Sequence, residues 1–395
     1  MYSLPKIGNK PLLGMSLNDL ILQALSELQS VLEKIKKLVA ENENKSIKIR
    51  ERKIYEAFFT RLLLSILKTA DCFDSSQWFQ EEKINSLEKK DLVNIFSDYY
   101  ELTEKRASYF AGHSGDNSLN IIRTQLSLLA QEHALKQSYG ISQFEMPTGA
   151  GKTEAGLRYG VTNIKKFNKN RLFYVAPFLS VVEQSAKSIK NVLGEEYVLE
   201  HHSNIINDQD TESLDETELD KSLYLPKAYI VDYWDAAVVV TTMVQFYSTL
   251  FAERSANICR FCKLIDSAII LDEIQSLPVE HVYCFNLMLN FLSRIMKVNV
   301  LLCSATQPPF NHKELNFPLK FSEEQQVIPS NSKLEKPIDY SVFERSQVFP
   351  TWRDMSQDEM MELDDVVKLL YEQMEVSDSV LCILNTKKKW VEKSE

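Results

Sequence analysis

Three short runs in this chain carry residue types that can handle phosphate and metal. The first is Met146-Pro147-Thr148-Gly149-Ala150-Gly151-Lys152-Thr153. Its glycines let successive backbone N–H groups turn inward as an anion nest. A helix starting near Lys152 would point its positive end at the same spot. Lys152 then reaches β- and γ-phosphate oxygens, and the Thr153 hydroxyl joins a Mg2+ shell. A glycine turn before a helix is ordinary on its own, so the second run decides. It is Asp272-Glu273-Ile274-Gln275, delivered at the end of the apolar stretch Ser267–Leu271. Asp272 would hold Mg2+ through water and Glu273 would polarise the attacking water as general base. Gln275 would sense the γ-phosphate. The third run, Ser304-Ala305-Thr306, ends the apolar stretch Val298–Cys303. Small hydroxyl residues there can bond the acid loop and transmit nucleotide state. In this order the runs point to a site for ATP and Mg2+.

Elements of the right kind surround these runs. Short β-branched stretches alternate with helix-length segments, which predicts βαβ units and a parallel sheet. The expected strands are Leu172–Ala176, Ala237–Thr241, Ala268–Leu271 and Val298–Cys303. Ala176-Pro177-Phe178 and Thr241-Thr242 each follow a strand and precede a helix. Loops of that kind offer hydroxyls, backbone N–H groups and helix N-termini to a single-stranded backbone. Before the sheet, the chain reads as all-α. From Leu17 to Leu38 apolar residues recur every three or four positions, with Ser16 as N-cap. A second helix is expected over Lys53–Ala70, with Phe58, Leu62, Ile66 and Thr69 on one face. The expected domains are 1–110, all-α; 111–310, holding the site; 311–360, a linker with little regular structure; and 361–395. The last contains a helix over Met361–Met374 and a strand over Val380–Asn385.

Composition narrows the class. Apolar residues are 44% and charged residues 25%, a globular balance. No apolar run reaches the ~18–20 residues that cross a bilayer. The start lacks a basic segment followed by an apolar one, so no secretory signal is expected. Six cysteines without a regular framework fit reduced thiols in the cytoplasm. A formal charge of −10 argues against coating duplex DNA. It does not exclude a groove that works through amides and hydroxyls. Cys259-x-x-Cys262 and His281-x-x-Cys284 have zinc-like spacing, but the 267–271 strand separates them, which should put them at opposite ends of the sheet. His201-His202 reads as a solvated loop pair or as part of a nucleic-acid path.

Pro147 stands where the full phosphate-loop consensus has glycine, a variant typical of superfamily 2 helicases. The phrases Arg260 to Pro278, Val239 to Phe246 and Leu302 to Pro308 narrow this further. Together they resemble the CRISPR-associated helicase/nuclease of type I interference systems. The resemblance covers roughly residues 50–310. It implies a RecA-like fold, preceded by part of an HD domain and followed by the start of a second RecA-like domain. It also implies ATP-dependent DNA helicase activity, single-stranded DNA as substrate and a crRNA-guided surveillance complex as partner. Asn120-Ile121-Ile122-Arg123 and Gln125 resemble the family's adenine-side motif, which adds Arg123 and Gln125 to the nucleotide site. Arg61 to Asp71 looks like the last helix of the HD nuclease, with Asp71 as its final metal ligand. The chain has no His-Asp dipeptide and no histidine before His113. The nuclease part is therefore expected to be incomplete. Leu384-Asn385-Thr386 looks like the opening motif of the second RecA-like domain, and the motifs that carry arginine fingers are missing. The chain thus reads as the middle of a longer protein, its motor and nuclease completed by a second polypeptide. Two other outcomes stay open: an inactive nucleotide- or DNA-binding remnant, and a general superfamily 2 RNA or DNA helicase.

Overall fold

The computed structural model describes residues 17–41, 45–79, 86–112, 118–202, 230–312, most of 315–343, 363–375 and 380. Residues up to Phe343 group as one compact unit and 344–395 as another. In the second unit one helix, Leu363–Met374, is described. The expected strand Val380–Asn385 lies outside the described residues apart from Val380, as do Ser16 and the motif at 384–386.

Among the described residues, six parallel strands form the sheet: β1 (Gly140–Glu145), β2 (Leu172–Ala176), β3 (Val198–His201), β4 (Val238–Thr242), β5 (Ala268–Leu271) and β6 (Asn299–Ser304). Their order is β1-β6-β5-β2-β4-β3. The four expected strands are present, and β1 and β3 are additional. β2 and β5 are buried at every position, as expected of strands covered on both faces. Side chains alternate between the faces. Ile269 and Leu271 enter one core with Phe173, Val175, Val300 and Leu302. Ala268 and Ile270 enter the other with Leu172, Tyr174 and Leu301.

Among the described residues, four helices precede the sheet: α1 (Leu17–Ala40), α2 (Lys45–Phe79), α3 (Lys89–Gly112) and α4 (Ser118–Ala134). The α2 helix outruns its apolar pattern at both ends, and at the first its Lys-, Arg- and Glu-rich flank favours helix without periodicity. Its buried face also differs from the expected one. Phe58 and Leu62 are buried with Tyr55 and Phe59, while Ile66 is exposed. Ser65 takes the next inward place: its hydroxyl accepts from Cys262 N at 2.8 Å. The composition break at 110 is not a break in packing. Ile35, Tyr55 and Phe58 share a core with the sheet, and so, on the other face, do Leu92, Phe96 and Leu126.

Among the described residues, the helices α5 (Lys152–Phe167), α6 (Leu179–Leu193), α7 (Met243–Phe251), α8 (Ser255–Phe261) and α9 (Val282–Arg294) lie between strands. The described part of the expected linker is not loose. Phe317, Leu319, Val327 and Ile338 are buried, and Gln326 bridges to Gln143 of β1. Its apolar residues are too irregularly spaced to signal an element, yet these four find places on the core. Among the described residues, no helix is long and apolar enough to cross a membrane.

The approach of α5 to the sheet depends on Gly160. A Cβ there would lie 2.5 Å from Leu172 Cδ1 and 3.3 Å from Ile270 Cδ1. Gly160→Val should therefore destabilise the chain by about 1–3 kcal/mol through overpacking. Chemical denaturation measures this, and an unchanged midpoint would mean that α5 sits farther from the sheet.

Candidate functional site

The phosphate loop joins β1 to α5. Gly149 has φ 83° and Gly151 φ 87°, left-handed values that glycine adopts without a Cβ penalty. Gly151 is the N-cap of α5 and brings no side-chain cap. The first-turn amides of α5 are thus left for a ligand. Residues Gly149 to Thr153 line a cleft of about 580 Å³ together with Asp272 and Glu273.

The acid loop reaches the same cleft from the end of β5. Lys152 and Glu273 are 121 residues apart in sequence, and Lys152 Nζ donates to Glu273 Oε1 at 2.7 Å. Glu273 adopts φ 50°, ψ 43°, a left-handed conformation costing about 1–2 kcal/mol for a residue with a Cβ. Gln275 Nε2 donates to Glu273 Oε2. Burial draws the Glu273 carboxyl upward, but hydrogen bonds from Lys152 and Gln275 outweigh it and leave the group below its usual range.

Asp272 is buried, and burial pushes its carboxyl above the usual range against the pull of Tyr174 and Lys152. The Tyr174 hydroxyl donates to Asp272 Oδ2 at 2.5 Å and lies 3.3 Å from Thr153 Oγ1. One phenol therefore links the two residues expected to hold Mg2+. Thr153 and Asp272 supply oxygen donors of the kind a hard cation takes. The donor set fits Mg2+, and a buried carboxylate beside a hydroxyl is a charge that a cation would compensate. Tyr174 was not expected from sequence, although a polar tip inside the apolar run Leu172–Ala176 is a usable signal.

The remaining expected residues are placed as follows. Arg123 Nε donates to Gly149 O at 2.9 Å, so it braces the phosphate loop. Gln125 Nε2 donates to Lys336 O at 2.7 Å and does not line the cleft. Pro147, Thr148 and Ala150 belong to the loop, where Ala150 N donates to Pro147 O at 3.2 Å. Ser304 pairs in register with Glu145 of β1. Its carbonyl accepts from Met146 N at 3.1 Å. Its buried hydroxyl has no hydrogen-bond partner, so the expected bond from Ser304 to the acid loop is not made here. Ala305 is half-buried and Thr306 exposed. The motif thus lies between the phosphate loop and the acid loop, at the end of the strand that separates them.

On the same sheet edge, Phe178 is 60% exposed. Thr242 caps α7, accepting from Gln245 N at 3.2 Å. Ala176 and Thr242 are register partners, so the Pro177–Phe178 and Thr242 loops are neighbours. The Thr241 hydroxyl is buried and donates to His201 O at 2.8 Å. It ties β4 to β3 and is not on offer to a ligand. His201 and His202 are likewise buried, not solvated. His201 Nδ1 accepts from Trp234 Nε1 at 3.2 Å, and burial pushes its pKa down to about 3. Asp71 is exposed on α2. Among the described residues, no three His, Cys, Asp or Glu side chains cluster as a metal site. Cys259 and Cys262 pack against Thr69, while His281 and Cys284 are exposed beyond the other end of β5.

Residues 127–315 match the DEAD/DEAH box helicase family. Among curated proteins, the CRISPR-associated nuclease/helicase Cas3 of Haloferax volcanii is 24% identical over 188 residues. That match covers 44% of this chain and 20% of that protein. The solved structures of T. fusca Cas3 with AMPPNP and with ADP are each 20% identical over 45% of this chain, with TM-scores of 0.36 and 0.35. They are covered over 20% and 21% of their own chains. The chain thus spans about one fifth of the length of these relatives.

Removing the phenol should expose what it does. In Tyr174→Phe the buried Asp272 carboxylate loses a donor, and stability should fall by about 1–3 kcal/mol. Titration of nucleotide binding against Mg2+ should show a several-fold higher Mg2+ requirement. Unchanged stability together with an unchanged Mg2+ requirement would separate Tyr174 from the site.

Proposed function

We propose that this chain is the ATP-binding part of a DNA helicase motor that acts in type I CRISPR interference. The carrying observation is the Lys152–Glu273 contact of 2.7 Å, which sets a phosphate-binding lysine against a water-activating acid in one cleft. The backbone amides of Gly149–Thr153 receive the β- and γ-phosphates. Lys152 exchanges Glu273 for phosphate oxygen, so nucleotide entry releases the carboxylate. Glu273, freed from Lys152 and still held by Gln275, is then placed to accept the proton of the attacking water. Asp272 and Thr153 hold Mg2+, which when bound neutralises charge building on the phosphate oxygens. Gln275 keeps Glu273 oriented and senses the γ-phosphate.

Hydrolysis in such sites also needs an arginine finger, worth about 10³–10⁵ in rate. Every arginine lining the cleft is committed. Arg106 pairs with Glu154, Arg158 with Glu104, and Arg123 bonds to the Gly149 carbonyl. The finger is therefore supplied from outside this set of residues, and a second polypeptide is its proposed source. Single-stranded DNA runs over the rim formed by Pro177, Phe178 and Thr242. The recruiting partner is a crRNA-guided surveillance complex, in the cytoplasm. DNA cleavage is not part of the proposal, because Asp71 has no metal-ligand cluster around it among the described residues.

The test is DNA-stimulated ATPase of the chain, alone and with the product of the adjoining reading frame. Lys152→Ala should abolish nucleotide binding. Glu273→Gln should keep ATP binding and lower turnover by about 10²–10⁴. A reconstituted pair no faster than its Lys152→Ala version sinks the motor. Stimulation by RNA equal to that by DNA would instead make the chain a general helicase.

A further inference from the structure

The α2 helix has two opposite faces, and one of them meets the body of the chain. Tyr55, Phe58, Phe59 and Leu62 enter the core. Ser65 accepts from Cys262 N, and Thr69 donates to the Cys259 carbonyl. On the opposite side, at about 100° per residue, lies a second apolar stripe. Leu63 and Leu64 are each 47% exposed, and Leu67 is 68% exposed. A helix that is apolar on both sides is ordinarily covered on both, and a contiguous exposed apolar patch marks a contact surface.

The stripe has the order of a seam between helices. Thr60, Leu64 and Leu67 follow one another at spacings of four and three residues. The same alternation runs on to Asp71 and Asp74, and back to Ala57 and Lys53. This is the spacing by which two helices interdigitate, and every one of these positions is exposed. From Lys53 to Asp74 the seam runs about six turns, or ~32 Å. It is basic at its first end and acidic at its last. Among the described residues, neither Lys53 nor Asp74 has an ion-pair partner.

Turned end over end about an axis between Leu63 and Leu64, the seam matches itself. Lys53 then meets Asp74, Thr60 meets Leu67, and Leu63 meets Leu64. Ala57 meets Ala70, and two small side chains let the helices approach closely. Asp71 comes opposite the Arg52–Glu56 pair, whose Arg52 is exposed and can turn to it. Each match occurs twice, as a closed two-fold contact requires. A parallel arrangement would instead set Lys53 against Lys53 and Asp74 against Asp74.

We propose that the outer face of α2 is covered by the same face of a second copy of this chain, with the two helices antiparallel. This does not rest on the nucleotide reading, because α2 lines no part of that cleft. A contact made by one helix from each copy is at the small end of specific interfaces. The dimer should therefore be reversible, with a dissociation constant on the order of micromolar.

The experiment is sedimentation velocity of the full 395-residue chain, across about two decades of concentration around that value. The mass should rise from one chain to two. Leu67→Gln removes one leucine from each copy and should weaken the dimer by at least about tenfold. Leu67 is exposed, so the denaturation midpoint should stay that of the wild type; if it falls, Leu64→Gln makes the same comparison. Lys53→Glu alone and Asp74→Lys alone should each weaken the dimer about three- to tenfold. The two together should restore it, because the pair is then reversed on both sides of the axis. A chain that stays monomeric throughout overturns the proposal. So does a dimer that Leu67→Gln and Leu64→Gln leave unchanged, which places the contact on another face. Charge reversals that do not rescue each other overturn the antiparallel register. A monomeric chain that binds the product of the adjoining reading frame, and loses it in Leu67→Gln, gives this face to a different partner and overturns the proposal as well.

Discussion

A parallel sheet ends all its strands on one edge, and the site depends on that constraint. β1 carries the phosphate loop and β5 the acid loop, with β6 between them. Neither loop needs local sequence to find the other, because register does it: Glu145 is opposite Ser304, and Leu271 is opposite Leu302. The 2.7 Å contact between Lys152 and Glu273 follows from that alignment. The same edge carries the Phe178 and Thr242 loops one and two strands farther on.

Several features at this edge oppose stability. Glu273 has a left-handed backbone. Asp272 is a buried carboxylate with a raised pKa, and the buried Ser304 hydroxyl has no partner. Each has a physical cost, and each is borne by a sheet whose strands are otherwise filled with Val, Ile and Leu. Strain kept at a ligand site and stability supplied by the core is the usual division in enzymes. Tyr174 stands at the boundary. Its ring belongs to the core and its hydroxyl to the site, so packing of β2 fixes where Asp272 points.

Legibility in the sequence followed from whether a signal was local. The phosphate loop is readable because its glycines and lysine act through their own backbone. β2, β4, β5 and β6 are readable because burial on both faces leaves continuous apolar runs. β1 was missed because Ser142 and Gln143 interrupt its run. Their polarity is answered by Gln137 and Gln326, partners no pattern reveals. β3 is a four-residue edge strand, too short to show a period. The Thr241 hydroxyl looked available but is spent on the His201 carbonyl, a contact across 40 residues. Arg106 and Phe110 carry no local signal, since only the fold brings α3 to the cleft.

The stretch after the sheet shows how this edge is kept in place. β1 is an outer strand, and an open edge beside the phosphate loop would be free to fray or to pair with another chain. Residues 321–343 cover it. Val327 N donates to Gln143 O at 2.9 Å, and the Glu324 carbonyl lies 2.9 Å from His133 Nε2 on α4. Lys336 holds Gln125 on that same helix. Because α4 also carries Arg123, it grips the phosphate loop at one point and the covering stretch at others. An anion nest stabilises developing charge only if its amides do not have to reorganise when the ligand arrives. The covering stretch restrains both β1 and the helix that braces the nest. The segment that composition marks as a linker therefore acts as part of the site's scaffold.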